Sequence, residues 1–193
     1  MAQTSTTLSG QKSFKSAITI SEGATFTVSG STNKISAAST SLSSLSVRDL
    51  ITITGTTNNN STFTVKSVDT AGTFITVEET VTAETSDGST DTVLTYSGFV
   101  TDKVKGDGYY SQTDGLHTVS YHVNTTCTGS IKMQGSLATA PDENDYFDID
   151  GTTFTTDQST TINSVNFTGN FVWVRAKCTS NTAGAVNKIL FNN

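Results

Sequence analysis

Two histidines, two cysteines, one tryptophan and one dense acidic run are the side chains in this sequence with the types to do chemistry. His117 and His122 lie five residues apart, and alternating strand geometry sends such residues to opposite faces, so a regular strand cannot bring both imidazoles to one metal. His117 shares its parity with Val119, Tyr121, Val123 and Cys127. Ten residues at about 3.3 Å each hold His117 and Cys127 roughly 33 Å apart on one strand, which excludes a Cys/His nucleophile pair within it. The same parity turns Cys127 inward with Val119, Tyr121 and Val123, and Cys178 inward with Val172, Val174 and Ala176. The expected role of both thiols is that of a small buried hydrophobe, with a disulfide as the alternative.

The acidic run Asp142-Glu143-Asn144-Asp145-Tyr146-Phe147-Asp148-Ile149-Asp150-Gly151 places oxygen ligands at alternate positions before a glycine, as calcium loops do. No Glu stands where the EF-hand pattern needs one, and Tyr146-Phe147 with Ile149 reads as a strand inserted in the acids, so a solvated turn is the expectation. Trp173 falls on the face of its strand opposite Cys178, with Arg175 and Lys177. A Trp beside two cations suits sugar stacking or a partner surface, and a Trp covered by a loop or a second subunit is the plainer reading. The chain carries no P-loop, GxGxxG or GxSxG motif. The expectation is a protein that is not an enzyme, with no catalytic, cofactor-binding or metal-ligating residues and no cofactor.

The elements that carry these residues are strands. Thr and Ser together make about a third of the 193 residues, and charged residues only 15%. Thr is β-branched and fits a pleated, half-solvated surface. No window holds apolar residues at helical spacing, and with a single Pro the turns fall to Gly, Asn, Asp and Ser. A net charge of −6 without a Lys/Arg cluster argues against nucleic-acid binding. The lack of a long apolar run argues against a membrane helix, and the N-terminus lacks a signal peptide's apolar core.

Along the chain, residues 1–29 hold two short alternating runs, Ala17-Ile18-Thr19-Ile20 and Thr25-Phe26-Thr27-Val28, and read as an N-terminal arm that orders against a neighbour or frays. Residues 30–98 alternate regularly, with Ile51-Thr52-Ile53, Phe63-Thr64-Val65, Phe74-Ile75-Thr76-Val77 and Val93-Leu94 separated by turn-forming segments such as Ser86-Asp87-Gly88-Ser89. That spacing suits a small antiparallel β-barrel-like module. The charged stretch 99–108 reads as a linker. Residues 109–193 carry strand patterns at 116–127, 130–134, 146–149, 165–167, 171–178 and 188–191, the content of a β-sandwich of jelly-roll-like type. The expected fold is therefore all-β.

The segment Leu50-Ile51-Thr52-Ile53-Thr54-Gly55-Thr56-Thr57-Asn58-Asn59-Asn60-Ser61-Thr62-Phe63-Thr64-Val65, with Asn33-Lys34-Ile35 before it and Ile75-Thr76-Val77-Glu78-Glu79 after it, resembles a small β module of tailed-bacteriophage virion proteins. Ser61 stands where that module usually has a turn glycine. Tyr109-Tyr110, Thr113-Asp114-Gly115-Leu116-His117-Thr118-Val119, Met133-Gln134-Gly135-Ser136-Leu137-Ala138-Thr139 and Asn166-Phe167-Thr168-Gly169-Asn170-Phe171-Val172-Trp173-Val174-Arg175-Ala176-Lys177 are similar to a β-sandwich of structural proteins from marine, T4-like cyanophages. Together the resemblances cover about 160 of the 193 residues. They imply a virion structural protein on the outer surface of the phage particle, assembled in the host cytoplasm. The first expectation is a capsid decoration or head-associated protein, a homo-oligomer with the trimer as its expected form, whose partners are other virion proteins. Its acidity suits a location away from packaged DNA. The alternative is a tail-fibre or baseplate-associated adhesin that binds host glycan.

Overall fold

The computed structural model describes residues 5–86, 88–110 and 115–193. Residues 1–4 of the expected arm, Asp87 of the expected turn and Thr113-Asp114 of the phage-like motif lie outside the described residues. Apart from two single-turn 3-10 helices, every described element is a β-strand, and every pairing between neighbours described below is antiparallel. The fold is all-β. No described helix is long and apolar enough to cross a membrane.

The chain forms two compact units. Strands β1 (Ser5–Ser9) and β2 (Lys12–Ser13) belong with Val100–Asn193, and Lys15–Phe99 forms the other unit. The expected division at 29/30 is therefore not the structural one. Ser5–Ser9 zips onto the C-terminal strand, whereas Ile20, Ala24 and Phe26 pack into the core of the 15–99 unit. Residues 5–29 are not one separate element, because Leu8 is buried in one unit and Ile20, Ala24 and Phe26 in the other.

The 15–99 unit contains β3 (Ile18–Ile20), β4 (Ala24–Ser29), β5 (Thr32–Ala37), β6 (Asp49–Thr54), β7 (Thr62–Val68), β8 (Phe74–Val77), β9 (Glu84–Thr85) and β10 (Thr92–Val100). Their order in the sheet is β9-β4-β5-β8-β7-β6-β10-β3. The sheet is not closed into a barrel: β9 and β3 are its ends, which corrects the barrel-like expectation. Those end strands have two and three residues, too few to close a full ladder. Alternation decides which side is buried. Ile51 and Ile53 are fully buried, while Thr52 between them turns out to bond Thr62 across the hairpin. Gly55 ends β6 at φ +82, and a Cβ there would lie 2.0 Å from the Asp91 carbonyl oxygen, so two loops meet backbone to backbone at a point only glycine allows.

The other unit adds β11 (Val104–Lys105), β12 (Leu116–Val123), β13 (Ser130–Ser136), β14 (Phe147–Asp148), β15 (Phe154–Thr155), β16 (Ile162–Thr168), β17 (Trp173–Thr179) and β18 (Ala185–Asn192). One sheet runs β1-β18-β12-β16 with β2 on β18. In the second, β13 pairs with β17, β14 and β15 flank β13, and β11 flanks β17. Their facing sides make a sandwich core: Tyr121 of β12 stacks on Phe154 of β15 at 6.2 Å and donates its hydroxyl to the Thr152 carbonyl at 2.8 Å. Phe171 is clamped between glycines, since a Cβ on Gly135 or Gly169 would sit 2.6 or 2.4 Å from its ring. Residues 99–108 are not a free linker. The Thr101 backbone N–H donates to the Ala176 carbonyl, and Val104–Lys105 pairs with Val174 and Trp173 of β17, because the edge of β17 supplies backbone groups that must be satisfied.

Candidate functional site

The two histidines lie on opposite faces of β12, as alternation requires. His117 is fully buried, stacked on Phe191 at 5.5 Å and tilted against Phe167 and Phe171, with Nε2 2.9 Å from the Gly169 carbonyl oxygen. That geometry makes Nε2 the protonated nitrogen, donating to the carbonyl. His122 sits on the outer face within 3.0 Å of the Ser120 hydroxyl, and partial burial together with the Lys188 charge lowers its pKa.

Cys127 and Cys178 are both free and buried. Burial is the main reason the Cys178 thiol is pushed up to about 12, with the neighbouring Cys127 adding to it. Burial also raises Cys127, against the Asn181 side-chain amide that reaches its sulfur. Thiols held protonated in this way are poor nucleophiles.

The acidic run is a capped turn joined to a polar network. Asp142 accepts from the Asn144 backbone N–H at 2.7 Å, and Asp145 accepts from the Asp142 backbone N–H at 2.8 Å, a capping box around the 3-10 turn Glu143–Asp145. Glu143 turns instead to Arg175. Asp148 bonds Lys132 and accepts from the Gln134 side-chain amide at 2.9 Å. Burial pushes the Asp148 carboxyl upward, and Lys132 and Gln134 outweigh it to hold the pKa below the usual value. These carboxylates diverge to different partners, and among the described residues no three potential His, Cys, Asp or Glu ligands converge.

Trp173 has neighbours other than those its own strand suggests. Arg175 is 3% exposed and belongs to the network, its guanidinium 3.6 Å above the Tyr146 ring centre. The cations beside Trp173 are Lys103, 4.9 Å from its ring, and Lys105, which pairs opposite it on β11 and lies 4.0 Å over Tyr109. Tyr109 meets Trp173 edge-on at 5.3 Å and Tyr110 at 5.2 Å. The indole N–H donates to the Thr139 carbonyl at 3.1 Å, which fixes the loop after β13 against the ring. Sugar stacking on Trp173 is therefore obstructed on the Lys103 side. Tyr109 and Tyr110 are 42% and 54% exposed, Tyr109 with Lys105 over its ring, and Leu137, just after β13, is 65% exposed. The neighbours of Trp173 come from the chain around β11 rather than from its own strand, because Lys105 pairs opposite it.

A cleft of about 420 Å³ in the 15–99 unit was also missed. Thr56, Thr57, Asn58, Glu84, Ser86 and Thr90 line it. Burial works upward on Glu84, but the backbone N–H groups of Thr57 at 2.6 Å and Asn58 at 2.8 Å, with the Asn59 amide, hold its pKa below the usual value. The carboxylate is thus engaged in joining the β6–β7 loop to β9.

Comparisons with protein-family models, curated proteins and solved structures return no match for this chain.

Proposed function

We propose that this chain is a structural component of a tailed-phage particle, a capsid decoration or head-associated protein on the outer surface that works through contacts with other virion proteins. The observation that carries the reading is the exposed pair Tyr109 and Tyr110, with Tyr109 packed edge-on against Trp173. Tyr and Trp are enriched at protein interfaces because they bury much apolar area while keeping a polar tip. Each Å² of apolar surface covered contributes about 25 cal/mol, and repetition over many copies turns that contribution into mechanical resistance of a shell. The sequence resemblance to phage virion modules supports the same reading.

A second reading, a tail-fibre or baseplate-associated adhesin for host glycan, is favoured by Tyr110, 54% exposed with the Lys105 cation 5.6 Å from its ring centre. Deleting the coding sequence separates the two. A decoration protein leaves particles that adsorb normally and rupture more readily under osmotic shock. An adhesin leaves particles that are robust and fail to adsorb. Deletion particles with unchanged shock resistance contradict the structural reading.

A further inference from the structure

Natural sheets protect their edges with short strands, charges, prolines or bulges. This protein does so almost everywhere. The flanking strands β3, β9, β11, β14 and β15 have two or three residues each, and β1 carries a bulge between Thr7 and Ser9. The exception is β16, Ile162–Thr168, seven residues without a charge or a proline, whose register with β12 runs unbroken from Leu116↔Thr168 to His122↔Ile162.

The ladder ends fix which backbone groups of β16 are free. Val123 N–H donates to the Thr161 carbonyl and Gly169 N–H donates to the Gly115 carbonyl, each at 2.9 Å. The odd-numbered residues of β16 therefore direct their backbone groups at β12, and Ile162, Ser164, Asn166 and Thr168 direct theirs outward. Among the described residues no strand pairs with that outer edge. Asn163 and Val165, on the inner face, are only half-buried, so core cover is incomplete along the same edge.

We infer that the outer edge of β16 is a homodimer interface, where the β16 of a second copy pairs antiparallel about a two-fold axis at Val165. That register sets Ser164 against Asn166 and Ile162 against Thr168 of the other copy, and every outward N–H and C=O of the four residues finds a partner. It keeps inner faces with inner faces. A charged strand would repel its own copy in this arrangement; β16 has no charge to do so. The occupant is a second copy because an isologous pairing satisfies the same strand on both sides at once. A two-fold contact of this kind closes at two chains.

The inference deepens the structural reading and is tested apart from it, on the purified full-length chain. Sedimentation over a concentration series is expected to give about twice 20.3 kDa for the wild type. Ser164→Pro removes an outward N–H that β12 does not use, and is expected to give a monomer with an unchanged far-UV circular dichroism spectrum. Should that variant misfold, Ser164→Lys with Asn166→Lys places like charges across the axis, and is expected to be monomeric until mixed with chains bearing Ser164→Glu and Asn166→Glu. Val165→Cys is expected to form an intermolecular disulfide, because a non-hydrogen-bonded pair brings Cα atoms to about 4.5 Å. A wild-type monomer at every concentration, a mass of three chains, or variants that dimerise like the wild type would overturn the interface. None of those results touches the chain's presence on particles, so the structural role stands or falls separately.

Discussion

Arg175 and Glu143 form an ion pair in which one guanidinium nitrogen reaches both carboxylate oxygens, at 2.8 and 2.9 Å, from a position where the Arg side chain is 4% exposed and the Glu side chain 20%. The Arg Nε donates to Gln134 at 2.9 Å, so the cation is tied on two sides. A buried pair of this kind is costly to break and far less costly to replace whole. Glu143→Leu is expected to destabilise the protein by about 3 kcal/mol, and adding Arg175→Met to recover most of that loss. Urea denaturation of the two variants checks it; a further loss on adding Arg175→Met would show that the two residues act independently.

Tyr121 lies in the sandwich core with its hydroxyl on the Thr152 carbonyl, and burial raises its pKa above the usual tyrosine value despite that bond. Tyr121→Phe is expected to cost about 1–2 kcal/mol, the loss of one buried hydrogen bond with its acceptor left unsatisfied. Ultraviolet titration is expected to show that the tyrosine signal lost in Tyr121→Phe belongs to a group that ionises only as the protein unfolds in alkali.

Two glycines with positive φ predict different costs. At Gly55 a Cβ would strike the Asp91 carbonyl, whereas at Gly30, φ +59, it would meet open space. Gly30→Ala is expected to cost about 1 kcal/mol for the left-handed conformation alone. Gly55→Ala is expected to cost clearly more, about 3 kcal/mol, because the loop must also move. Thermal denaturation of both variants ranks them.

Glu22 accepts the Ser39 and Thr40 backbone N–H groups at 2.9 and 3.0 Å, and chiefly through Ser39 its pKa falls from 4.5 to about 2. A depressed folded value means that the unfolded chain binds the proton first as pH falls. The stabilising contribution is complete above pH 4.5 and is lost between 4.5 and about 2. The gap in urea midpoint between wild type and Glu22→Gln is expected to narrow across that window and to be constant above it. Asp69, held low first by the Thr73 hydroxyl, and Asp157, held low first by the Thr160 backbone N–H, act in the same direction.

Much of the fold was legible because alternation is a local rule. It placed His117 with Val119, Tyr121 and Val123 inside and His122 outside, and it located 74–77 as a strand. It failed where burial comes from the other side. Arg175 shares parity with Trp173 on a face that reads as a ligand or partner surface or as one covered by a loop, and alternation alone does not say that the turn carrying Glu143 and Tyr146 is what covers Arg175. The strand Thr32–Ala37 carries only one large apolar side chain, Ile35, and its existence depends on pairing with β4 and β8, which lie distant in sequence from each other. Ser5–Ser9 offered no pattern at all, since its place depends on the free edge of β18 more than 170 residues away. The Lys105–Tyr109 corner needed the pairing of β11 with β17, a long-range contact that spacing does not reveal.

The role proposed for this chain is a capsid decoration or head-associated protein present in many copies. Quantitative mass spectrometry of purified particles, with the major capsid protein as the internal standard, tests it most directly. The account predicts a copy number of the same order as the major capsid protein's; absence from the particle, or presence only at the few copies of a tail tip, would contradict it.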